Sequence, residues 1–287
     1  MDIGIGLPAL RPDPDLSIAA WARRAEERGF ATLATIDRVV YDNYESLTAL
    51  AVAAGATSRI RLTTAILLAP LRSNHALFAK SAATLDRISG GRLVLGLAPG
   101  IREDDYSASG VDYQHRGRLF DALLERATRQ WQDPGDGIGP RPATAGGPPL
   151  MFGGSTKPTL RRMAAHGVGW VGGADGVANF RAFLPQVRQA WHDTGRTGVP
   201  RLMGTANFAL GPDGDKRLHT RVLDYYTSVG ETAGAYAERS VEAGLTTTGH
   251  VARAIAAYAE AGCDELILFP NGGGMEQVDL LADAVGL

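Results

Sequence analysis

The stretch that decides the fold runs from Arg59 to Gly100 and reads RIRLTTAILLAPLRSNHALFAKSAATLDRISGGRLVLGLAPG. Its first ten residues predict a buried strand that ends before Pro70, because proline has no N–H to donate to a continuing ladder. Asn74 is predicted to begin a helix that ends at a Ser-Gly-Gly sequence, and Leu93–Leu97 is predicted to be the next strand. Two strands joined by a covering helix run parallel, so the loops after both strands lie at one end.

The helix inside this crossover is predicted to bury one face. Apolar residues recur along it at spacings of three and four, which is typical of an amphipathic helix that packs on a sheet. The residues predicted to form the buried stripe are Leu77, Phe78, Ala82 and Leu85.

The same alternation of strand and helix extends on both sides of the crossover. Short apolar runs predict eight strands: Ile3–Leu7, Thr32–Ile36, Ile60–Leu68, Leu93–Leu97, Leu150–Phe152, Gly169–Val171, Leu202–Leu210 and Glu265–Phe269. Amphipathic stretches predict eight helices: Ser17–Gly29, Ser46–Ala54, Asn74–Ile88, Gln114–Trp131, Thr156–Ala165, Val177–Asp193, Lys216–Ser228 and Val251–Ala261. Eight alternating pairs predict an α/β fold of the (β/α)8 TIM-barrel type rather than an open sheet.

Two segments are longer than the barrel needs, and we expect them to be short insertions. They are Asp133–Pro149, which is rich in proline and glycine, and Asp213–Thr248. No composition shift or repeat marks a domain boundary, so one domain is expected over residues 1–287.

Composition argues against several classes of partner. The formal net charge is −2 with no block of Lys or Arg, which disfavours a nucleic-acid surface. No apolar run approaches the roughly 18 residues of a membrane span, and the first residues lack a basic signal region. We therefore expect a cytoplasmic protein that binds neither nucleic acid nor membrane. Cys263 is the single cysteine, and its context predicts core packing rather than reactivity.

Familiar chemical motifs are absent or misplaced. The sequence Gly4-Ile5-Gly6-Leu7-Pro8-Ala9 matches a dinucleotide fingerprint, but the next helix is not predicted to begin until Ser17. The six histidines are scattered singly, which disfavours a metal site, and there is neither a nucleophile elbow nor a phosphate-binding Walker loop.

The remaining candidate functional residues are those that follow the predicted strands, because barrel active sites lie after the strands. Gly153, Gly154, Ser155 and Thr156 combine bare backbone, hydroxyls and a helix start, which is typical of a phosphate site. An ordinary strand-to-helix turn explains them equally well. The pair Gly172-Gly173 would add bare backbone beside this loop.

Two further strand ends have alternative interpretations. Asp37 and Arg38 offer a carboxylate and a guanidinium at the mouth, with Asp37 the acid/base candidate and Arg38 an anion clamp. The alternative is a solvated pair of adjacent charges. The triplet Gly272-Gly273-Gly274 is interpreted as a flexible loop.

Four blocks of the chain resemble the bacterial luciferase-like family of flavin- and deazaflavin-dependent oxidoreductases. They are AEERGFATLATIDRV, RIRLTTAILLAPLRSNHALFAKSAATLDRISGGRLVLGLAPGIREDDYSASGVDY, PLMFGGSTKPTLRRMAAHGVGWVGG and AAYAEAGCDELILFP. The resemblance implies a (β/α)8 barrel that holds the ring of coenzyme F420, or alternatively FMN, at its mouth.

The resemblance also implies roles for particular residues. The ring would lie against a bulge at Thr64, Ala65 and Ile66, with a cis peptide bond between the last two, and against a wall that includes Pro99 and Gly100. The cofactor phosphate would lie at residues 153–156, beside Gly172 and Gly173. A homodimer is expected by the same analogy.

Two departures from the family pattern affect the chemistry that is expected. Deazaflavin-dependent sugar-phosphate and alcohol dehydrogenases of the family place a histidine and a glutamate where this chain has Arg38 and Ile101.

The expected function is hydride transfer from reduced F420 to a small organic substrate. The alternatives are an FMN-dependent monooxygenase, a non-catalytic cofactor-binding protein and an unrelated barrel that binds a phosphorylated metabolite at residues 153–156.

Overall fold

The computed structural model describes residues 1–8, 15–133, 135, 137–226 and 230–287. Ala9 of the rejected glycine motif lies outside the described residues, and so does Ser228, the predicted end of the Lys216–Ser228 helix. The two predicted insertions, Asp133–Pro149 and Asp213–Thr248, are described except for residues 134 and 136 and residues 227–229, respectively.

Eight parallel strands form a closed barrel, in which each strand pairs with its neighbour in the chain and β1 pairs with β8. The strands are β1 (Asp2–Gly6), β2 (Thr32–Thr35), β3 (Arg61–Leu68), β4 (Leu93–Ala98), β5 (Leu150–Gly153), β6 (Gly169–Val171), β7 (Arg201–Phe208) and β8 (Glu265–Pro270). The predicted (β/α)8 architecture is therefore confirmed, with strand ends that differ from the predicted ones by at most two residues.

The described residues form eleven α-helices, three more than predicted. They are α1 (Ile18–Glu27), α2 (Ser46–Ala56), α3 (His75–Ile88), α4 (Glu103–Ala108), α5 (Arg116–Gln132), α6 (Lys157–His166), α7 (Val177–Asp193), α8 (Gly214–Tyr226), α9 (Gly230–Glu242), α10 (Thr248–Glu260) and α11 (Glu276–Val285). The unpredicted ones are α4, α9 and α11. Helices α8 and α9 fall within the longer predicted insertion.

Helix α3 shows how the crossover packs. Asn74 caps it, because the Asn74 Oδ1 accepts a hydrogen bond from the Leu77 N–H at 3.0 Å. Phe78, Ala82 and Leu85 are buried as predicted, but Leu77 is 57% exposed, so its assignment to the stripe was wrong. The three buried residues are spaced at i, i+4 and i+7, and Leu77 stands about 100° around the helix from Phe78 and faces outward.

The barrel interior is filled at its amino-terminal end by an ionic cluster. The buried Glu265 carboxylate binds the Arg61 guanidinium at 3.1 Å and the Arg201 guanidinium at 2.7 Å, and it accepts a hydrogen bond from the Thr32 hydroxyl. Apolar side chains, among them Met203, pack above this cluster. These two layers of side chains fill the barrel interior at its amino-terminal end.

Candidate functional site

A bulge in β3 shapes the carboxyl mouth. The pairing between β3 and β4 shifts register between Thr64 and Leu67, and the peptide bond between Ala65 and Ile66 is cis, as the family resemblance implies. Ala65 and Ile66 are half-buried, whereas the residues on either side of them are buried. The bulge therefore presents a small apolar surface towards the mouth.

Glycines on the two neighbouring strands make room for this bulge. A methyl group on Gly96 in β4 would lie 2.1 Å from the Thr64 carbonyl oxygen, and one on Gly153 in β5 would lie 3.0 Å from the Ile66 Cγ2. The Thr64 hydroxyl also donates a hydrogen bond to the Gly96 carbonyl at 2.8 Å. The sequence contained the signal for this packing, because a glycine inside a strand often marks close approach of another backbone.

Pro99 and Gly100 follow β4 on the rim next to the bulge. Gly100 has φ +73°, and a methyl group there would lie 2.7 Å from the Leu68 Cδ2, so no larger residue fits without strain. The Tyr106 hydroxyl donates a hydrogen bond to the Pro99 carbonyl. Ile101, where dehydrogenase relatives carry an acid, is 56% exposed.

The loop after β5 offers free hydrogen-bond donors. Residues 154–156 are exposed, and within the described ranges the backbone N–H groups of Ser155 and Thr156 meet no protein acceptor. The Thr156 side chain caps α6 by accepting from the Thr159 N–H at 3.4 Å, so both earlier interpretations of this loop are compatible. Free N–H groups at the start of a ten-residue helix suit an anion, because the helix dipole adds positive potential there.

Gly172 and Gly173 lie beside this loop but offer fewer free donors. The pairing of Gly153 with Val171 places the two segments next to each other. The Gly172 N–H, however, donates to the Met203 carbonyl at 2.8 Å. A methyl group on Gly173 would lie 2.6 Å from the Tyr236 hydroxyl oxygen, so this glycine makes room for a side chain from α9.

The Asp37 carboxylate is buried and fully engaged. It accepts hydrogen bonds from the Ser46 hydroxyl at 2.7 Å and from the Leu68 N–H at 2.9 Å, and it forms an ion pair with Arg72 at 3.0 Å. These contacts tie the end of β2 to the end of β3. The alternative interpretation of Asp37 and Arg38 as a solvated pair is wrong, since both side chains are 2% exposed.

Arg38 is bound to α4 rather than to its chain neighbour. Its guanidinium lies 2.8 Å from the Asp105 carboxylate and 3.1 Å from that of Asp104. The rings of Tyr41 and Tyr225 lie 5.8 and 5.4 Å from its Cζ. Arg38 thus joins three segments of the rim, which are the segment after β2, helix α4 and helix α8.

Helix α8 lies across the mouth and supplies an aromatic wall that the sequence did not predict. Tyr225 and Tyr226 lie at the end of α8, and Arg102 lies in the segment after β4. The Arg102 Cζ is 4.7 Å from the centroid of the Tyr225 ring and 5.1 Å from that of the Tyr226 ring. Tyr226 in turn packs against Tyr236 of α9, and the Tyr236 hydroxyl accepts a hydrogen bond from the Ala174 N–H at 2.9 Å. These contacts link the rims of β4 and β6.

Burial shifts the ionisation of this wall. It raises the pKa of Tyr236 to about 12 and raises the pKa of Tyr226 well above the ordinary value of a phenol. It also lowers the pKa of the Arg102 guanidinium, which remains charged at neutral pH because its ordinary pKa is so high. The phenols therefore remain neutral at physiological pH and can donate hydrogen bonds.

Two kinds of site are not found in the part of the chain that the structure describes. No group of three His, Cys, Asp or Glu side chains is placed to hold a metal ion. None of the described helices is both long and apolar enough to cross a bilayer.

Comparisons with known proteins agree with this geometry. A 5,10-methylenetetrahydromethanopterin reductase from Methanolobus tindarius is 36% identical over 109 residues, which cover 38% of this chain and only 32% of that reductase. The fold is similar to that of the monooxygenase RslO1 from Streptomyces bottropensis, with a TM-score of 0.74, 20% identity and coverage of 99% of this chain and 98% of that one.

A second solved structure has the same fold. An F420-dependent secondary alcohol dehydrogenase in complex with an F420-acetone adduct has a TM-score of 0.79 and 16% identity, with coverage of 100% of this chain and 99% of that one. Both structural likenesses show the fold alone. The sequence model described as luciferase-like monooxygenase matches residues 12–278, nearly the whole chain. The chain therefore belongs to the luciferase-like monooxygenase family, whose members are oxidoreductases and monooxygenases.

Proposed function

We propose that the protein is an oxidoreductase that binds reduced F420 at its carboxyl mouth and acts on a small organic substrate. FMN is the alternative cofactor. The observation that carries the proposal is the adjacency of two features on β3, β4 and β5. The half-buried surface at Ala65 and Ile66 suits a flat ring, and the free N–H groups of Ser155 and Thr156 suit a phosphate.

The residues of the chain would bind and orient the cofactor rather than perform its chemistry. Ala65 and Ile66 would support one face of the ring, with Pro99 and Gly100 at its side. Residues 153–156 would bind the phosphate. F420 supplies a hydride when it is bound and reacts poorly with oxygen, whereas reduced FMN also activates oxygen, so cofactor identity separates hydride transfer from monooxygenation.

A titration of the protein with F420 and with FMN tests this proposal. We expect micromolar or tighter binding of one cofactor, followed by its reoxidation when carbonyl, enone or imine acceptors are added under nitrogen or when air is admitted. Binding without any acceptor-dependent reoxidation would favour a non-catalytic carrier, an alternative supported by the full engagement of the Asp37 carboxylate. Failure of both cofactors to bind would refute the proposal.

We expect Asp37 to position the rim rather than to transfer a proton. Asp37→Asn should lower stability by about 3 kcal/mol, because the Arg72 cation would lose a buried partner. It should lower activity without removing a limb from the pH–rate profile. Urea unfolding measures the change in stability, and the pH dependence of kcat/KM shows whether the shape of the profile changes. If the variant loses the acidic limb of that profile while its stability is unchanged, Asp37 acts as an acid or base. Glu45→Gln is a matched control, since Glu45 is exposed and also pairs with Arg72.

A homodimer through α2 and α3 is the assembly we propose. Helix α2 contains no charged residue, and its outward positions include Val52, which is 45% exposed. On the neighbouring α3, the outward stripe runs from Leu77 to Ile88, which are 57% and 58% exposed. Exposed apolar side chains on two adjacent helices, one of them without charge, favour contact with a second copy.

Charge placed on this surface should separate the copies. Val52→Glu combined with Leu77→Glu should convert a dimer into a folded monomer, because a carboxylate would be buried without a partner. Light scattering coupled to size-exclusion chromatography measures the change. Val199→Glu, at an 84% exposed position near the floor of the barrel, should leave the mass unchanged. A monomeric wild type would contradict the proposal.

A further inference from the structure

An asparagine near the end of β7 faces the interior of the barrel at its carboxyl mouth. Successive side chains of a strand alternate between its two faces. On β7, Arg201 belongs to the ionic cluster in the barrel interior, and Met203 belongs to the apolar layer above it. Asn207 stands on the same face of the strand, further towards the carboxyl end, and it is half-buried. Its side chain therefore lies at the mouth.

The position of Asn207 is across the mouth from the β3 bulge. The eight strands follow chain order around the closed barrel, so β3 and β7 are separated by three strands on either side and lie opposite each other. Counted from the ionic cluster, Ile66 is five residues beyond Arg61, and Asn207 is six residues beyond Arg201. The two differ in height by about one residue, roughly 3 Å along a strand. A flat ring on the bulge would therefore turn its free face towards Asn207.

The orientation of the Asn207 amide is determined by Asn271. Asn271 is 5% exposed, and its Nδ2 lies 3.1 Å from the Phe269 carbonyl and 3.0 Å from the Asn207 Oδ1. A carbonyl oxygen only accepts, so this Asn271 atom must be the nitrogen, and the Asn207 atom that it contacts must be the oxygen. The Asn207 Nδ2 is thus the group left facing away from Asn271, and in the part of the chain that the structure describes it meets no acceptor.

The surroundings of this amide are mainly apolar. Met203 and Phe269 belong to the apolar layer that lines the interior beneath it. The Thr205 hydroxyl, on the same strand, already donates to the Gly172 carbonyl at 2.8 Å. Asn207 therefore offers a neutral hydrogen-bond donor above an apolar surface, which suits an uncharged molecule with a carbonyl oxygen.

We propose that the Asn207 Nδ2 donates a hydrogen bond to the carbonyl oxygen of an uncharged enone or ketone and stabilises the negative charge that develops there during reduction. The inference rests on the proposed function, which supplies the reductant. An enone accepts a hydride, with two electrons, at its β-carbon while the cofactor is oxidised. The π electrons move to the oxygen, and the enolate then takes a proton from water at its α-carbon. The amide loses no proton and stays neutral.

An amide donor accounts for activation of a carbonyl without the acids of the dehydrogenase relatives. At the two positions where those relatives carry a histidine and a glutamate, Arg38 is bound to the Asp105 carboxylate and Ile101 has no polar side chain. The Asn207 Nδ2 lies on the opposite side of the mouth from both segments. It is oriented before any ligand binds, because Asn271 holds its oxygen.

The stretching frequency of a bound carbonyl measures this hydrogen bond without turnover. Infrared difference spectra of cyclohexenone, with and without an isotopic label at its carbonyl carbon, are recorded on protein loaded with the oxidised form of whichever cofactor binds. In the wild type, the carbonyl band should lie below its position in cyclohexane, because a hydrogen bond weakens the C=O bond. Asn207→Leu should move the band back towards the cyclohexane position. An identical band in the wild type and the variant would overturn the proposal.

A second variant keeps the original shape of the side chain. At neutral pH, Asn207→Asp can still accept from Asn271 but cannot donate, so it should also lose the band shift. This variant provides the test if the leucine variant does not fold. Gln189→Leu is the matched control, because it removes an exposed amide from α7 and should leave the band unchanged.

Kinetics and cofactor binding separate the remaining outcomes. Asn207→Leu should lower kcat for cyclohexenone by about 100-fold, the loss typical of removing one oxyanion donor, and an unchanged kcat would contradict the proposed role. Cofactor affinity should not change. If the variant weakens cofactor binding and leaves the carbonyl band in place, the amide contacts the cofactor and the proposal is wrong. If neither cofactor binds, the proposed function fails, but spectra of cyclohexenone on the apoprotein still test the hydrogen bond.

Discussion

Gly96→Ala should greatly weaken cofactor binding and destabilise the barrel. The added methyl group would lie 2.1 Å from the Thr64 carbonyl oxygen and 3.6 Å from the Ile66 Cγ2, and the first of these is a backbone atom that cannot rotate away. Strand β3 would have to move away from β4 at the bulge. We expect a loss of about 3 kcal/mol in stability, at the upper end for overpacking. Displacement of the bulge should lower affinity for the bound cofactor by about tenfold or more, equivalent to about 1.4 kcal/mol.

Two measurements on the same variant check this result. Urea unfolding gives the change in the free energy of unfolding, and fluorescence titration gives the cofactor affinity. Gly55→Ala is the matched control, because no atom lies within 4 Å of the position that a methyl group would take and the residue lies in α2. That control should gain about 0.5–1 kcal/mol. Wild-type stability and affinity in Gly96→Ala would refute the view that β4 sets the position of the bulge.

Glu265→Ala should be the most destabilising change at the floor of the barrel. Removing the carboxylate leaves the Arg61 and Arg201 guanidiniums facing each other without the anion between them. Breaking a buried ion pair from one side costs about 3–5 kcal/mol. The lower end is expected here, because each arginine side chain is 33% exposed and can turn towards water.

A neighbouring carboxylate provides the comparison for this prediction. Asp2 also pairs with Arg61, at 2.5 Å, but its side chain is 50% exposed. Asp2→Ala should therefore cost less than about 1 kcal/mol in urea unfolding. Equal effects from the two substitutions would contradict the view that burial makes the Glu265 cluster important. Glu265→Gln should fall between them, since it keeps the volume and some hydrogen bonds.

The barrel could be predicted from local patterns because its strands are short apolar runs that end at glycine, proline or charge. The missed helices gave weaker signals. Helix α9 contains two glycines and little apolar periodicity, and its Ala237 is buried only through tertiary packing. Helix α11 does show a short pattern at Val278, Leu281 and Ala282, which could have been recognised.

The site could be predicted only where backbone chemistry determines it. Glycines and a helix start mark the loop at residues 153–156, and strand order brings it beside Gly172. The partners of charged residues could not be predicted, because they come from distant parts of the chain. Asp37 binds Arg72 and Arg38 binds Asp105, and nothing in the local sequence distinguishes these pairs from a solvated surface pair.

The single cysteine has a practical consequence for labelling the protein for spectroscopy. Cys263 is 5% exposed, and burial raises the pKa of its thiol to about 11. The folded protein should therefore resist alkylation by maleimides at neutral pH, since the thiolate is the reactive form. A cysteine introduced at Thr220, an exposed position on α8, would accept a fluorophore selectively without prior removal of the native thiol. The natural sequence thus already provides a background in which a single introduced thiol reports on α8.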